Sequence, residues 1–153
     1  MKTNLKIAAA AVTSVAIGVF AIIYWDVFRS APGGADTAVI EAGARIYAES
    51  CAACHGSRLE GQPGWRSRNA AGRLPAPPHD ETGHTWHHPT KALFEITKYG
   101  VARFAGPGYQ SDMPAFEGRL TDDEIRAVLI YIRAQWPDDI RKVHAEIDRK
   151  SGS

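Results

Sequence analysis

Apolar positions along the chain form one continuous run and four helical stripes, separated by two long stretches without any period. The run is Ile7 to Trp25, 19 residues with no charge. The first stripe is Ile40, Gly43, Ala44, Tyr47 and Ala48, a three-and-four spacing that puts all five on one helical face. Asp36 or Thr37 is placed to cap that helix. Glycine inside a helix costs about 1 kcal/mol against alanine, so Gly43 predicts a close crossing with another helix. A second helix is expected over Lys91 to Tyr99, with Thr90 as cap, Ala92, Leu93, Ile96 and Tyr99 inward, and Gly100 as its stop. Thr121-Asp122-Asp123-Glu124 reads as a capping box opening a third, with Ile125, Val128, Leu129 and Ile132 on one stripe and Trp136-Pro137 at its end. From Asp138 a short amphipathic tail carries Ile140, Val143 and Ile147 and is free to pack or to fray. Residues 56–89 and 101–112 have loop signals instead, and nothing alternates as a strand would. The fold class is all-α with long loops.

As a helix, residues 7–25 would span roughly 28 Å, about the thickness of a bilayer's hydrocarbon core. Tyr24 and Trp25 suit an aromatic interface belt, and Lys2 and Lys6 predict residues 1–6 in the cytoplasm with everything after the span outside. A cleaved signal peptide is the competing reading. Its apolar core would run about 7–15 residues with a small-x-small site just beyond, whereas the nearest such triplet here is Gly33-Gly34-Ala35. The length favours an uncleaved anchor, and both readings export the rest of the chain. Residues 26–36 then read as a linker, 37–137 as a domain and 138–153 as a C-terminal helical extension.

Charge excludes one class of partner. With 18 basic and 17 acidic residues the chain has no basic footprint for nucleic acid.

Chemistry is concentrated at Cys51-Ala52-Ala53-Cys54-His55, which holds both cysteines of the chain. This spacing reads as a c-type haem attachment site. Two thiols one helical turn apart can each form a thioether to a haem vinyl group, and the next residue can offer its imidazole to the iron. A zinc site would need further thiols, and a redox dithiol would need an alternating strand–helix pattern; the chain has neither. A loop as long as 56–89 needs a function or a cofactor to pack on, and draping over one haem edge would satisfy that. One of its carbonyls is expected to accept from the other ring nitrogen of His55, with Pro63 as the candidate. Met113, the only methionine besides Met1, sits on a loop stiffened by Pro114 and suits the iron's sixth position. Arg73, Trp86, Tyr99 and Pro114 are further candidates for the walls of the haem pocket. His79, His84, His87 and His88 lie within ten residues and could ligate a transition metal, or could be a polar loop in which the Trp86 indole N–H finds an acceptor.

Together Gly43-x-x-x-Tyr47, Cys51-Ala-Ala-Cys54-His55, Met113-Pro114 and Leu120-Thr-Asp-Asp-Glu-Ile…Val128-Leu-Ile-Tyr131 resemble a class I (mitochondrial-type) cytochrome c, over roughly Ala38 to Trp136. The resemblance implies three or four helices and long loops around one covalently bound haem c, here with an N-terminal transmembrane helix. It also implies that the first and last helices cross, Gly43 and Tyr47 against Val128 and Tyr131. With His55 and Met113 both bound, the expected function is one-electron transfer between donor and acceptor redox proteins in or at the membrane, such as respiratory complexes. The haem domain would face the periplasm, and the protein would be an electron carrier or a subunit of an oxidoreductase complex. Two rivals remain at this point. One is a haem sensor or peroxidase with an open sixth site, using Arg103 and one of His84, His87 or His88. The other is a metal-handling module built on those three histidines.

Overall fold

In a computed structural model of the chain, residues 34–152 are described, with side chains from Asp36. The expected anchor at 7–25 and most of the linker lie outside these residues. Contacts divide the chain into residues 1–38, of which only the start of a helix is described, and residues 39–153. The elements are α1 (Gly34–Ser50), α2 (Ala52–His55), a 3₁₀ turn (Thr85–His87), α3 (Thr90–Tyr99), α4 (Ala102–Ala105), α5 (Asp122–Ala134) and α6 (Asp138–Ser151). No strand occurs among the described residues, and none of their helices is long and apolar enough to cross a membrane.

Local signals explain most helix ends. The Thr121 capping box forms as expected, its hydroxyl accepting from the Glu124 N–H while the Glu124 carboxylate accepts from the Thr121 N–H at 2.8 Å. α3 stops at Gly100, whose φ of 83° is a conformation that glycine adopts without strain. Two expected caps need correction. α1 already starts at Gly34, inside the expected linker, so Asp36 lies in its first turn. Pro89 is the cap position of α3, and the Thr90 hydroxyl is bonded to a distant helix instead.

The core is Tyr47, Leu59, Val128, Ile132 and Trp136, with Ile46, Cys51, Ala52, Trp86, Tyr131 and Ile140 packed against it. α1 and α5 meet where Gly43 stands. A Cβ there would come within 2.7 Å of the Tyr131 Cβ and closer still to the Ala127 carbonyl oxygen. The Tyr47 and Tyr131 rings lie 5.5 Å apart one turn along. Ala48, expected on the buried stripe, is exposed.

α3 lies against α5, where Lys98 Nζ is 2.7 Å from Asp122 Oδ1. The tail does not fray: α6 packs against the 3₁₀ turn. Its fully buried residue is His144, 1% exposed; Ile140 packs on the core as expected, while Val143, expected inward, is 45% exposed. The His144 ring meets Trp136 edge-on at 5.0 Å, a contact that replaces the aliphatic one the stripe predicted.

Candidate haem site

α1 runs into the cysteine motif almost without a break. The Cys51 N–H still reaches the Tyr47 carbonyl at 2.9 Å, and the His55 N–H reaches that of Cys51 at 2.9 Å. Cys51, Cys54 and His55 are therefore carried on consecutive helical turns at the end of α1. The Tyr47 hydroxyl donates to the Gly56 carbonyl at 2.9 Å and closes the motif from below. The two cysteines are not joined in a disulfide; Cys51 is half-buried and Cys54 exposed. Burial, and then the neighbouring Cys54, push the Cys51 thiol up to about 11. A redox dithiol works through a stabilised thiolate, so this environment is the opposite of what that chemistry needs.

His55 is 7% exposed, and its Nδ1 lies 2.8 Å from the Pro77 carbonyl oxygen. A carbonyl can only accept, so Nδ1 carries the proton and Nε2 keeps its lone pair. Burial lowers the ring's pKa, against a smaller opposing effect of the Pro77 bond, which favours the neutral imidazole that ligates metals. Two adjacent cysteine side chains and a neutral imidazole with one free nitrogen are the donor set a covalent haem requires.

The partner carbonyl is thus Pro77 and not the expected Pro63, which is exposed. The loop's path explains the difference. Gly61 N–H bonds the His55 carbonyl, and Gln62 N–H bonds the Ala76 carbonyl at 2.9 Å, so the chain doubles back and returns with residue 77 at the histidine. The Gln62 side chain accepts from Ala76 N–H as well, at 3.0 Å.

A second loop lies beyond α4. Met113 is half-buried, and its N–H bonds Ser111 Oγ at 3.0 Å. Just past Pro114, which is exposed, Phe116 is buried and its N–H meets the last carbonyls of α3, those of Thr97 and Lys98. Arg73 ties this loop to the first, with Nε 2.8 Å from Asp112 Oδ1 next to Met113. The Arg68 guanidinium also stands over Tyr109, at 5.5 Å.

Of the other expected pocket residues, Tyr99 is half-buried with the Arg103 guanidinium 4.6 Å over its ring. The Trp86 indole N–H is taken by the Glu81 carbonyl at 3.2 Å, and its ring stacks on His87 at 3.6 Å. The histidine-rich segment is dispersed. His79 stacks on His55, His84 stacks on Trp65 at 5.5 Å, and His88 meets His84 edge-on at 5.3 Å. No three His, Cys, Asp or Glu side chains gather to hold a metal among the described residues. Arg103, engaged on Tyr99, is likewise not paired with any of these rings.

Sequence reasoning missed Pro77 and Thr85, and it read His79 only as a possible metal ligand. The run Pro75-Ala76-Pro77-Pro78 was a signal in plain view, since prolines offer carbonyls without competing N–H groups.

The profile of the family described as "Cytochrome c" matches residues 40–136. A Cbb3-type cytochrome c oxidase subunit FixP from Bradyrhizobium sp. (strain ORS 278) is 32% identical over 93 residues, 61% of this chain and 26% of that protein. The chain therefore spans about a quarter of that relative's length. No solved structure matches it. With the attachment motif, the Pro77-bound histidine and the family profile coinciding over one stretch, the chain belongs to the cytochrome c family and carries covalently bound haem c.

Proposed function

We propose that this cytochrome c is a one-electron carrier whose haem is attached at Cys51 and Cys54 and ligated by His55 and Met113. The observation that carries the reading is the hydrogen bond from His55 Nδ1 to the Pro77 carbonyl at 2.8 Å, which leaves Nε2 for iron. The haem supplies a ferric–ferrous couple whose potential a thioether ligand and a dry pocket raise.

The chain's own residues do the rest. Pro77 fixes the tautomer and direction of His55. Arg73 and Asp112 hold the Met113 loop to the loop that covers His55. Phe116, bonded to the end of α3, anchors the far side of that loop. With His55 and Met113 both holding the iron there would be no open place for substrate, and the haem would supply outer-sphere one-electron transfer.

Residues 7–25 are proposed as an anchor that keeps the domain on the periplasmic face of a membrane, beside its donor and acceptor. The oxidase subunit FixP, similar over the haem domain, supports partners within a membrane redox complex.

The test is the red-region absorption of the oxidised protein. Methionine ligation gives a sulfur-to-iron charge-transfer band, lost in Met113→Ala together with a rise in cyanide binding. A wild-type protein without the band, binding cyanide rapidly, would be a five-coordinate haem protein and would overturn the proposal.

A further inference from the structure

We infer that His79 is a positioning residue for the iron ligand His55: its imidazole lies flat on the His55 ring and sets the plane that ring presents to the iron. The inference rests on the assignment of His55 as ligand proposed above. The two ring centroids are 3.9 Å apart and the planes 20° from parallel.

His79 is held from several directions, as a residue must be if it is to hold another. Its backbone N–H donates to the Leu59 carbonyl at 2.8 Å. Its carbonyl accepts from the Trp136 indole N–H at 2.7 Å, which ties it to the end of α5. Its Nδ1 is 2.8 Å from the hydroxyl of Thr85, a residue only 6% exposed. The Thr85 hydroxyl can also reach the Pro78 carbonyl at 3.4 Å. Tyr47 stands edge-on to the ring at 6.3 Å. Position, backbone direction and ring rotation are all constrained.

The Pro77 bond alone cannot do this for His55. A hydrogen bond at Nδ1 limits rotation of the ring about its Cβ–Cγ bond, but one bond tolerates a broad range of angles and leaves the ring some freedom to turn. A parallel ring against the face removes that freedom, because turning His55 would drive its edge into His79. Pro77 and His79 lie two residues apart on one segment, so a single piece of backbone supplies both constraints. The angle of a ligand imidazole about its bond to iron decides which iron d orbital it overlaps, and so the magnetic anisotropy of the ferric state. Partners beyond the ligand commonly set this.

The test uses the full-length ferric holoprotein and reads electron paramagnetic resonance g-values, haem-methyl NMR shifts and the midpoint potential. The variants are His79→Ala, His79→Phe and Thr85→Val. His79→Ala is expected to broaden the g-values into a distribution, compress the spread of methyl shifts and move the ferric–ferrous equilibrium severalfold. His79→Phe, which restores a flat ring, should return g-values close to wild type. Thr85→Val, which releases the His79 ring but leaves it in place, should give partial broadening and serves alone if the alanine variant fails to take up haem. Wild-type g-values, shifts and potential in His79→Ala, or in Thr85→Val where that is the only holoprotein obtained, overturn the inference. Failure of the ligand assignment is separately visible: wild-type protein labelled with ¹⁵N-histidine would then show no strongly coupled histidine nitrogen in its hyperfine spectrum.

Discussion

Asp148, near the end of the last helix, takes both the backbone N–H and the hydroxyl of Thr90, at 2.6 and 2.7 Å. Thr90 opens α3, so one carboxylate satisfies an otherwise open donor at that helix's start and fastens α6 across 58 residues of sequence. Hydrogen bonds to a charged group contribute about 1.5–3 kcal/mol. Asp148→Ala is therefore expected to lower unfolding free energy by about 2 kcal/mol, measured by denaturant titration of the holoprotein. The red-region absorption should be unchanged, because the bonds of Asp148 go to Thr90 and to neither proposed ligand.

The same corner gives the pH dependence of stability a definite sign. Burial alone would raise the Asp148 pKa, but the two Thr90 bonds outweigh it and hold the carboxyl below its usual range. Its contribution is complete above the ordinary aspartate value, about 4, and is lost as pH falls through the lower folded value. Burial lowers the His144 pKa, opposed by Asp148 and reinforced by Arg133. The unfolded histidine takes up a proton near pH 6.5 while the folded one resists, so stability falls as pH drops below about 6.5. Melting temperature should decline from pH 7 to 5 and again below 4. In His144→Gln the first decline should become shallower, since burial also lowers the pKa of His79 and His84, and the second should remain. A melting temperature that rises between pH 7 and 5 in the wild type would contradict this account.

What could be read in the sequence was set within a turn or two of chain. The cysteine motif, the Thr121–Glu124 box and the Gly100 stop are each defined by residues three or four apart, and each forms where expected. The carbonyl partner of His55 was not of this kind. It lies 22 residues away, and its identity depends on how residues 61–62 pair with Ala76. One residue of the inward face of α6, Val143, was misjudged for another reason. Hydrophobic periodicity counts histidine as polar, whereas His144 is buried against Trp136. The contact of His79 with His55 had no sequence signal, since nothing in the spacing says that a loop histidine will meet the motif's own.

Gly43 tests whether the α1–α5 crossing matters more than helix propensity. Alanine in a helix interior gains about 1 kcal/mol over glycine. Here, however, its methyl would meet the Ala127 carbonyl and the Tyr131 Cβ, both on rigid helical backbone. Overpacking of this kind costs about 1–3 kcal/mol and often more when the backbone must move. Gly43→Ala should therefore destabilise on balance, with a lower melting temperature of the holoprotein. Increased stability would mean that the helices can separate freely at this point.

Arg73 and Asp112 separate local from global effects at the second loop. Their side chains are 37% and 60% exposed, so as an ion pair they contribute at most about 1 kcal/mol to overall stability. Yet the pair is a direct tie, beside the Arg68–Tyr109 contact, between the loop covering His55 and the residue next to Met113. Releasing it should leave unfolding nearly unchanged while, with Met113 as the proposed ligand, raising the fraction of time that Met113 is away from the iron. Asp112→Ala is expected to bind cyanide or imidazole severalfold faster in the ferric state, with a charge-transfer band still present. Arg73→Ala should match it, and the double variant should be no faster than either single one, because both remove the same contact. Additive acceleration would show that the two residues act on the loop independently.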